Sequence, residues 1–146
     1  MRDLPRQLSA DELAELFEGR TALVERLAAQ EDPLGPAAEA TARSLGEPDK
    51  LAALNAHPAI GARRLSPRSA AEQGTEADPA VLAELAELNR RYEQRFGFRF
   101  VVFVAGRPRS AIVPVLRERL ERSRQEELDT AVAELVAIAR DRWRRG

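Results

Sequence analysis

Helix start and stop signals recur at short intervals along this chain, and together they restrict it to an all-α fold. Ser9 with Glu12, and Ser123 with Glu126, form capping boxes. In each, a hydroxyl and a carboxylate satisfy main-chain N–H groups that a first helical turn leaves open. Behind the first box stand Leu13, Leu16 and Phe17, on the steps of three and four that build one helix face. Thr21 is placed to cap a second helix carrying Leu23, Val24 and Leu27, and Asp32-Pro33-Leu34-Gly35 breaks it. Pro36 suits a first helical position and Gly46 the stop after Leu45. Pro48 starts a helix through Leu51 and Leu54, and Ser66-Pro67 opens another that runs to about Gly74. Asp78-Pro79 opens a long one, in which Val81, Leu85, Leu88, Tyr92 and Phe96 keep the helical step until Gly97. Ser110 is placed to cap a helix with Ile112, Val115, Leu116 and Leu120, with Pro114 in roughly its first turn, where a proline costs little. The second capping box opens the last helix.

About eight helices are therefore expected. Phe98 to Val104 breaks the pattern. It is rich in β-branched and aromatic residues and reads as an extended segment with no partner strand, so no sheet is expected. At 146 residues, with no repeat or linker, the chain reads as a single compact all-α domain over residues 1–146.

Composition removes several function classes. A net charge of −1 gives no electrostatic footprint for nucleic acid, so no nucleic-acid partner is expected. The chain has no cysteine, which excludes disulfides, thiolate metal sites and a cysteine nucleophile and fits a reducing compartment. No apolar run approaches the roughly 20 residues that span a bilayer. Met1-Arg2-Asp3-Leu4-Pro5 lacks the apolar core of a signal peptide, and Arg144-Arg145-Gly146 is not a peroxisomal signal. The expected address is cytoplasmic, with no membrane partner.

Three features can carry chemistry. His57 is the only histidine. It precedes Pro58, which pushes it toward extended backbone just past a helix end, and it opens an irregular stretch, the kind of place where functional groups concentrate. Its ordinary pKa lies near neutrality, although a lone histidine can equally be structural. Ser69, Glu72 and Gln73 share one helix face, a set suited to a flat polar ligand or simply to solvent. Arg142 continues the buried stripe of Leu128, Ala131, Leu135, Ile138 and Ala139, whereas Arg140 and Arg144 point elsewhere. An inward arginine needs an acidic partner or an anionic ligand, unless the helix has already left the core there. One histidine and no cysteine leave little for a metal, and no glycine-rich phosphate loop or serine elbow is present.

Read in order, these pieces resemble a known family. His57-Pro58 with Ile60-Gly61 comes first, then Ser69-x-x-Glu72-Gln73. Leu88-Asn89-x-x-Tyr92-x-x-x-Phe96-Gly97-Phe98-x-Phe100 follows, and then a last helix ending Ile138-Ala139-x-x-Arg142. The set is similar to 2-oxo-4-hydroxy-4-carboxy-5-ureidoimidazoline (OHCU) decarboxylases, from about Phe17 to Trp143. The resemblance implies an all-helical homodimer that releases carbon dioxide without a cofactor or metal and yields (S)-allantoin from a small ureidoimidazoline. It implies His57 as the catalytic residue. It implies substrate contacts from Pro58, Ser69, Glu72, Gln73 and Arg142, and from Phe100, Val101, Val102, Phe103 and Val104, partly through main-chain groups. Against the family pattern, the stretch between His57 and Glu72 is shorter, Asp32-Pro33-Leu34 replaces an Arg-Pro-Phe motif, and Phe103 replaces a smaller residue.

Other functions fit parts of the chain. A non-catalytic helical interaction module would use the arginine-rich faces, but has no reason to keep His57, Ser69, Glu72 and Gln73 with an inward Arg142. A decarboxylase for a related ring substrate would keep them all. A nucleic-acid-binding domain would rely on Arg63, Arg64, Arg68 and the terminal arginines, against the near-neutral net charge.

Overall fold

The structure, a computed structural model, describes residues 3–57 and 78–146. Among the described residues it contains seven α-helices and no strand. They are α1 (Ala10–Phe17), α2 (Ala22–Ala28), α3 (Ala38–Ser44), α4 (Glu47–Ala56), α5 (Pro79–Phe96), α6 (Arg109–Leu120) and α7 (Arg124–Arg145). The helix expected from Ser66-Pro67 to Gly74 lies outside the described residues. No helix among the described residues is long and apolar enough to cross a membrane.

Both capping boxes form. Ser9 accepts the Glu12 N–H while Glu12 accepts that of Ser9, both at 3.1 Å, and Ser123 with Glu126 does the same. Three other expected boundaries move. Pro36 does not start α3; it sits in a turn closed by Ala38 N–H to Gly35 O at 3.0 Å, and the helix begins at Ala38. Gly46 does not stop α3, which ends at Ser44; with φ −64° and ψ 157° Gly46 is the N-cap of α4, its carbonyl taking the N–H groups of Asp49 and Lys50. Ser110 does not cap α6. Pro108 holds the N-cap and accepts from Ala111 N–H at 2.9 Å, so Pro114 falls inside the helix, beyond its first turn. At all three helix starts the N-cap residue, Ala37, Gly46 or Pro108, makes no side-chain cap bond.

Helix α7 is the centre of the molecule. It packs against α1, α3 and α4, while α5 and α6 pack on each other. Its Leu128, Ala131, Val132, Leu135, Val136, Ile138 and Ala139 are buried in one apolar cluster with residues from every other described helix.

A buried polar knot ties the α5–α6 pair to α7. Glu127, fully buried in the first turn of α7, accepts from Tyr92 Oη at 2.6 Å and from Arg119 Nε at 2.7 Å. Arg122 adds a third bond to it at 3.0 Å. Burial and the Glu127 carboxylate push the Tyr92 hydroxyl well above its usual pKa, so it serves as a neutral donor. Arg119 also donates through Nη1 to Val101 O at 2.6 Å, and its guanidinium lies 4.6 Å from the centre of the Phe100 ring.

The knot explains how Phe98–Val104 stays extended with no strand beside it. Phe98 and Phe100 pack edge-on against Tyr92, with ring centres 5.9 and 5.3 Å away. Side chains take the place of a partner strand: Arg107 donates to Phe103 O at 2.6 Å and to Val104 O at 2.8 Å.

Candidate active site

The site is built where the C-terminal ends of α1 and α4 meet the far end of α7. His57 is the residue after α4. Its backbone is extended (φ −89°, ψ 134°), the conformation that the following proline favours. Its N–H donates to Leu54 O at 3.1 Å, and its carbonyl accepts from Arg99 Nη1 at 2.7 Å. The main chain is thus held on both sides, and the imidazole is 89% buried in the sense that its side chain keeps only 11% of its surface exposed.

Glu18 faces that imidazole. Its Oε2 lies 3.6 Å from His57 Nδ1, beyond hydrogen-bond length. The same oxygen lies 3.3 Å from Arg142 Nη2, and Arg142 Nη1 donates to Leu16 O at 2.7 Å. Arg142 therefore neutralises the carboxylate and also satisfies a carbonyl that the end of α1 leaves open.

The backbone that delivers Glu18 is unusual. Glu18 adopts the left-handed conformation (φ 59°, ψ 31°) as the C-cap of α1, although Gly19 stands next to it. For a residue with a Cβ this costs on the order of 1 kcal/mol. Gly19 is needed for something else: a Cβ there would lie 2.9 Å from the Cβ of Ala56. The glycine lets the end of α1 approach the end of α4, and the turn falls to Glu18. Gly19→Ala is expected to force these ends apart and destabilise the protein by about 1–3 kcal/mol, readable in urea unfolding. A loss below about 0.5 kcal/mol would mean the two ends are not held in contact.

Electrostatics make His57 a neutral group. Burial, first, and the nearby Arg142 lower its pKa from 6.5 to about 4; Glu18 partly opposes them and Arg99 adds to them. At neutral pH the imidazole is therefore uncharged and can accept a proton.

The expected inward placement of Arg142 holds, for it is 2% exposed. The extended segment reaches the site through Arg99, which grips the His57 carbonyl. Phe100, Val101, Val102 and Val104 are buried, and the Phe100 ring belongs to the cluster around Tyr92. The Phe103 side chain lines a groove with Ala137, Arg140, Asp141 and Arg144, a face of α7 that does not include Arg142. Pro58, Ser69, Glu72 and Gln73 lie outside the described residues. Among the described residues no group of three or more acidic or histidine side chains is arranged to hold a metal ion.

Sequence reasoning missed Glu18 and Arg99. Phe17-Glu18-Gly19 reads as an ordinary helix end with glycine in the left-handed position. Arg99 is one arginine among many, and only its place within the extended segment set it apart.

Comparison with known proteins gives a consistent result. The family model for OHCU decarboxylase matches residues 2–144. The 2-oxo-4-hydroxy-4-carboxy-5-ureidoimidazoline decarboxylase of Haloferax volcanii is 30% identical over 139 residues, covering 88% of this chain and 83% of that protein. The uric acid degradation bifunctional protein TTL of Arabidopsis thaliana is 37% identical over 101 residues, 62% of this chain, and that stretch is 31% of the plant protein's length. The crystal structure of an OHCU decarboxylase determined in the presence of (S)-allantoin is 27% identical, with a TM-score of 0.70 over 90% of this chain and 94% of that one.

Proposed function

The chain belongs to the OHCU decarboxylase family, and from that premise we propose that it converts 2-oxo-4-hydroxy-4-carboxy-5-ureidoimidazoline to (S)-allantoin and carbon dioxide in urate breakdown. The observation that carries this reading is a buried, neutral His57 held between Glu18, Arg99 and Arg142.

The reaction asks little of a protein beyond placement and proton transfer. Carbon dioxide leaves from the substrate carboxylate, and the adjoining imine takes up the electron pair. The ring hydroxyl gives up its proton as the ring carbonyl forms. A proton arrives on one face of the neighbouring carbon, and one proton is taken up overall. The imine is the electron sink, so this balance calls for no pyridoxal or metal. A neutral imidazole can receive the hydroxyl proton and return it to the ring, acid–base help worth roughly 10²–10⁴-fold. Substrate contacts from Pro58, Ser69, Glu72, Gln73, Arg142 and the main chain of 100–104 belong to the same proposal, as implied by the family resemblance. So do action as one domain over residues 1–146, homodimeric assembly and a cytoplasmic address, testable by sedimentation and cell fractionation.

The test is to generate OHCU in situ from urate with urate oxidase and the upstream hydrolase, add this protein and follow circular dichroism. The expected result is rapid formation of one-handed (S)-allantoin. A folded protein that leaves only the slow racemic background would overturn the reading for this substrate.

A further inference from the structure

We propose that Glu18 is a positioning residue of this site: its carboxylate, braced by Arg142, faces Nδ1 of His57 and keeps the ring proton on that nitrogen, leaving the Nε2 lone pair for the substrate. The inference rests on the proposed role of His57.

Three observations carry it. The first is geometric. Glu18 Oε2 is within 4 Å of both His57 Nδ1 and Arg142 Nη2, at 3.6 and 3.3 Å. A carboxylate on the Nδ1 side favours a proton there, because a lone pair facing it would be repelled. An orienting carboxylate behind an imidazole sets which nitrogen is left to react. The second is backbone strain. A glutamate in the left-handed region next to an available glycine is a costly choice, and such residues persist where the surroundings over-determine them. Here Gly19 is committed to the approach toward Ala56, one residue before His57. The third is that Arg142 is inside the protein and bonded to Leu16 O as well, so the carboxylate it holds has little freedom to swing away. Among the described residues, the charged groups that face His57 are Glu18 from the end of α1, Arg142 from α7 and Arg99 from the extended segment.

A purely structural reading makes Glu18 only a counter-ion for Arg142. The two readings differ in what happens to the imidazole. His57 is the only histidine, so nitrogen-15 spectra of the labelled whole chain show a single ring and report which nitrogen carries the proton, without substrate. The expected wild-type form at pH 7 has the proton on Nδ1. In Glu18→Gln, which keeps the shape and can still bond Arg142, the proton is expected to spread over both nitrogens. Glu18→Ala should show the same more fully, and if that variant fails to fold the glutamine variant decides. With OHCU as substrate, kcat is expected to fall about 10-fold or more with KM within about threefold, as when a catalytic imidazole loses its orienting carboxylate. An unchanged proton position in the folded variant, or an unchanged kcat, overturns the proposal. If wild type has no activity on OHCU, the functional reading fails. The ring spectra still decide whether Glu18 sets the imidazole.

Discussion

In His57→Ala, kcat for (S)-allantoin is expected to drop by about 10²–10⁴-fold, the range for loss of a positioned acid–base group. Glu18 and Arg142 keep each other as partners in this variant, so the site loses its proton acceptor without gaining an unpaired charge. The same substitution carries a second signature with a defined sign. The folded-state pKa of His57 is about 4, below its ordinary 6.5, so the unfolded chain binds a proton that the folded chain refuses. Stability from this group is fully present above about pH 6.5 and is lost as pH falls through that value toward about pH 4, by about 3 kcal/mol in all. The alanine variant lacks that loss. Urea unfolding of both proteins between pH 7 and pH 4 should show the wild type losing stability faster than the variant. Parallel curves would mean that His57 is not held neutral, and an active alanine variant would remove it from the chemistry.

Glu127→Ala is expected to cost about 3–5 kcal/mol, a large fraction of the stability of a domain this size. The carboxylate is fully buried and holds Tyr92, Arg119 and Arg122. Its removal leaves the Arg119 cation buried beside Phe100 without its counter-charge. The cost is therefore chiefly that of an uncompensated charge. Removing both partners, as Glu127→Leu with Arg119→Met, should recover much of the loss, because an apolar pair of similar volume often replaces a buried ion pair at little cost. Urea unfolding of the two variants checks this; a single-variant loss under about 1 kcal/mol would mean the knot is dispensable.

What could be read in advance followed from local rules that tertiary structure did not override. The two capping boxes formed because serine and glutamate at that spacing satisfy each other's neighbours within one turn. The stripe on α7 predicted Arg142 as inward because helical periodicity continues whatever the residue's polarity. His57 was legible through Pro58, since that constraint acts on the adjacent residue alone. What stayed hidden depended on contacts between distant segments. Glu18 took the left-handed turn because Gly19 meets Ala56, a pairing that no window around residue 18 contains. Gly46 and Pro108 became N-caps on backbone geometry alone, where side-chain preference favoured other roles or other residues. The extended segment was legible as extended but not as anchored, because its holdfasts, Arg119 and Arg107, come after it in the chain.

Helix α7 sets the distance and the angle between two halves of the molecule. Glu127 in its first turn fixes the α5–α6 side, and Arg142 near its end fixes α1 and the loop carrying Glu18. Both act through one rigid rod, so their relative phase depends on the number of residues between them. One inserted or deleted residue there would turn Arg142 by about 100° away from Leu16 and Glu18 while leaving Glu127 in place. The exposed face of α7 is free to drift in composition, but its length between these two residues is locked, and related sequences that keep both anchors should carry no single-residue gap in that interval.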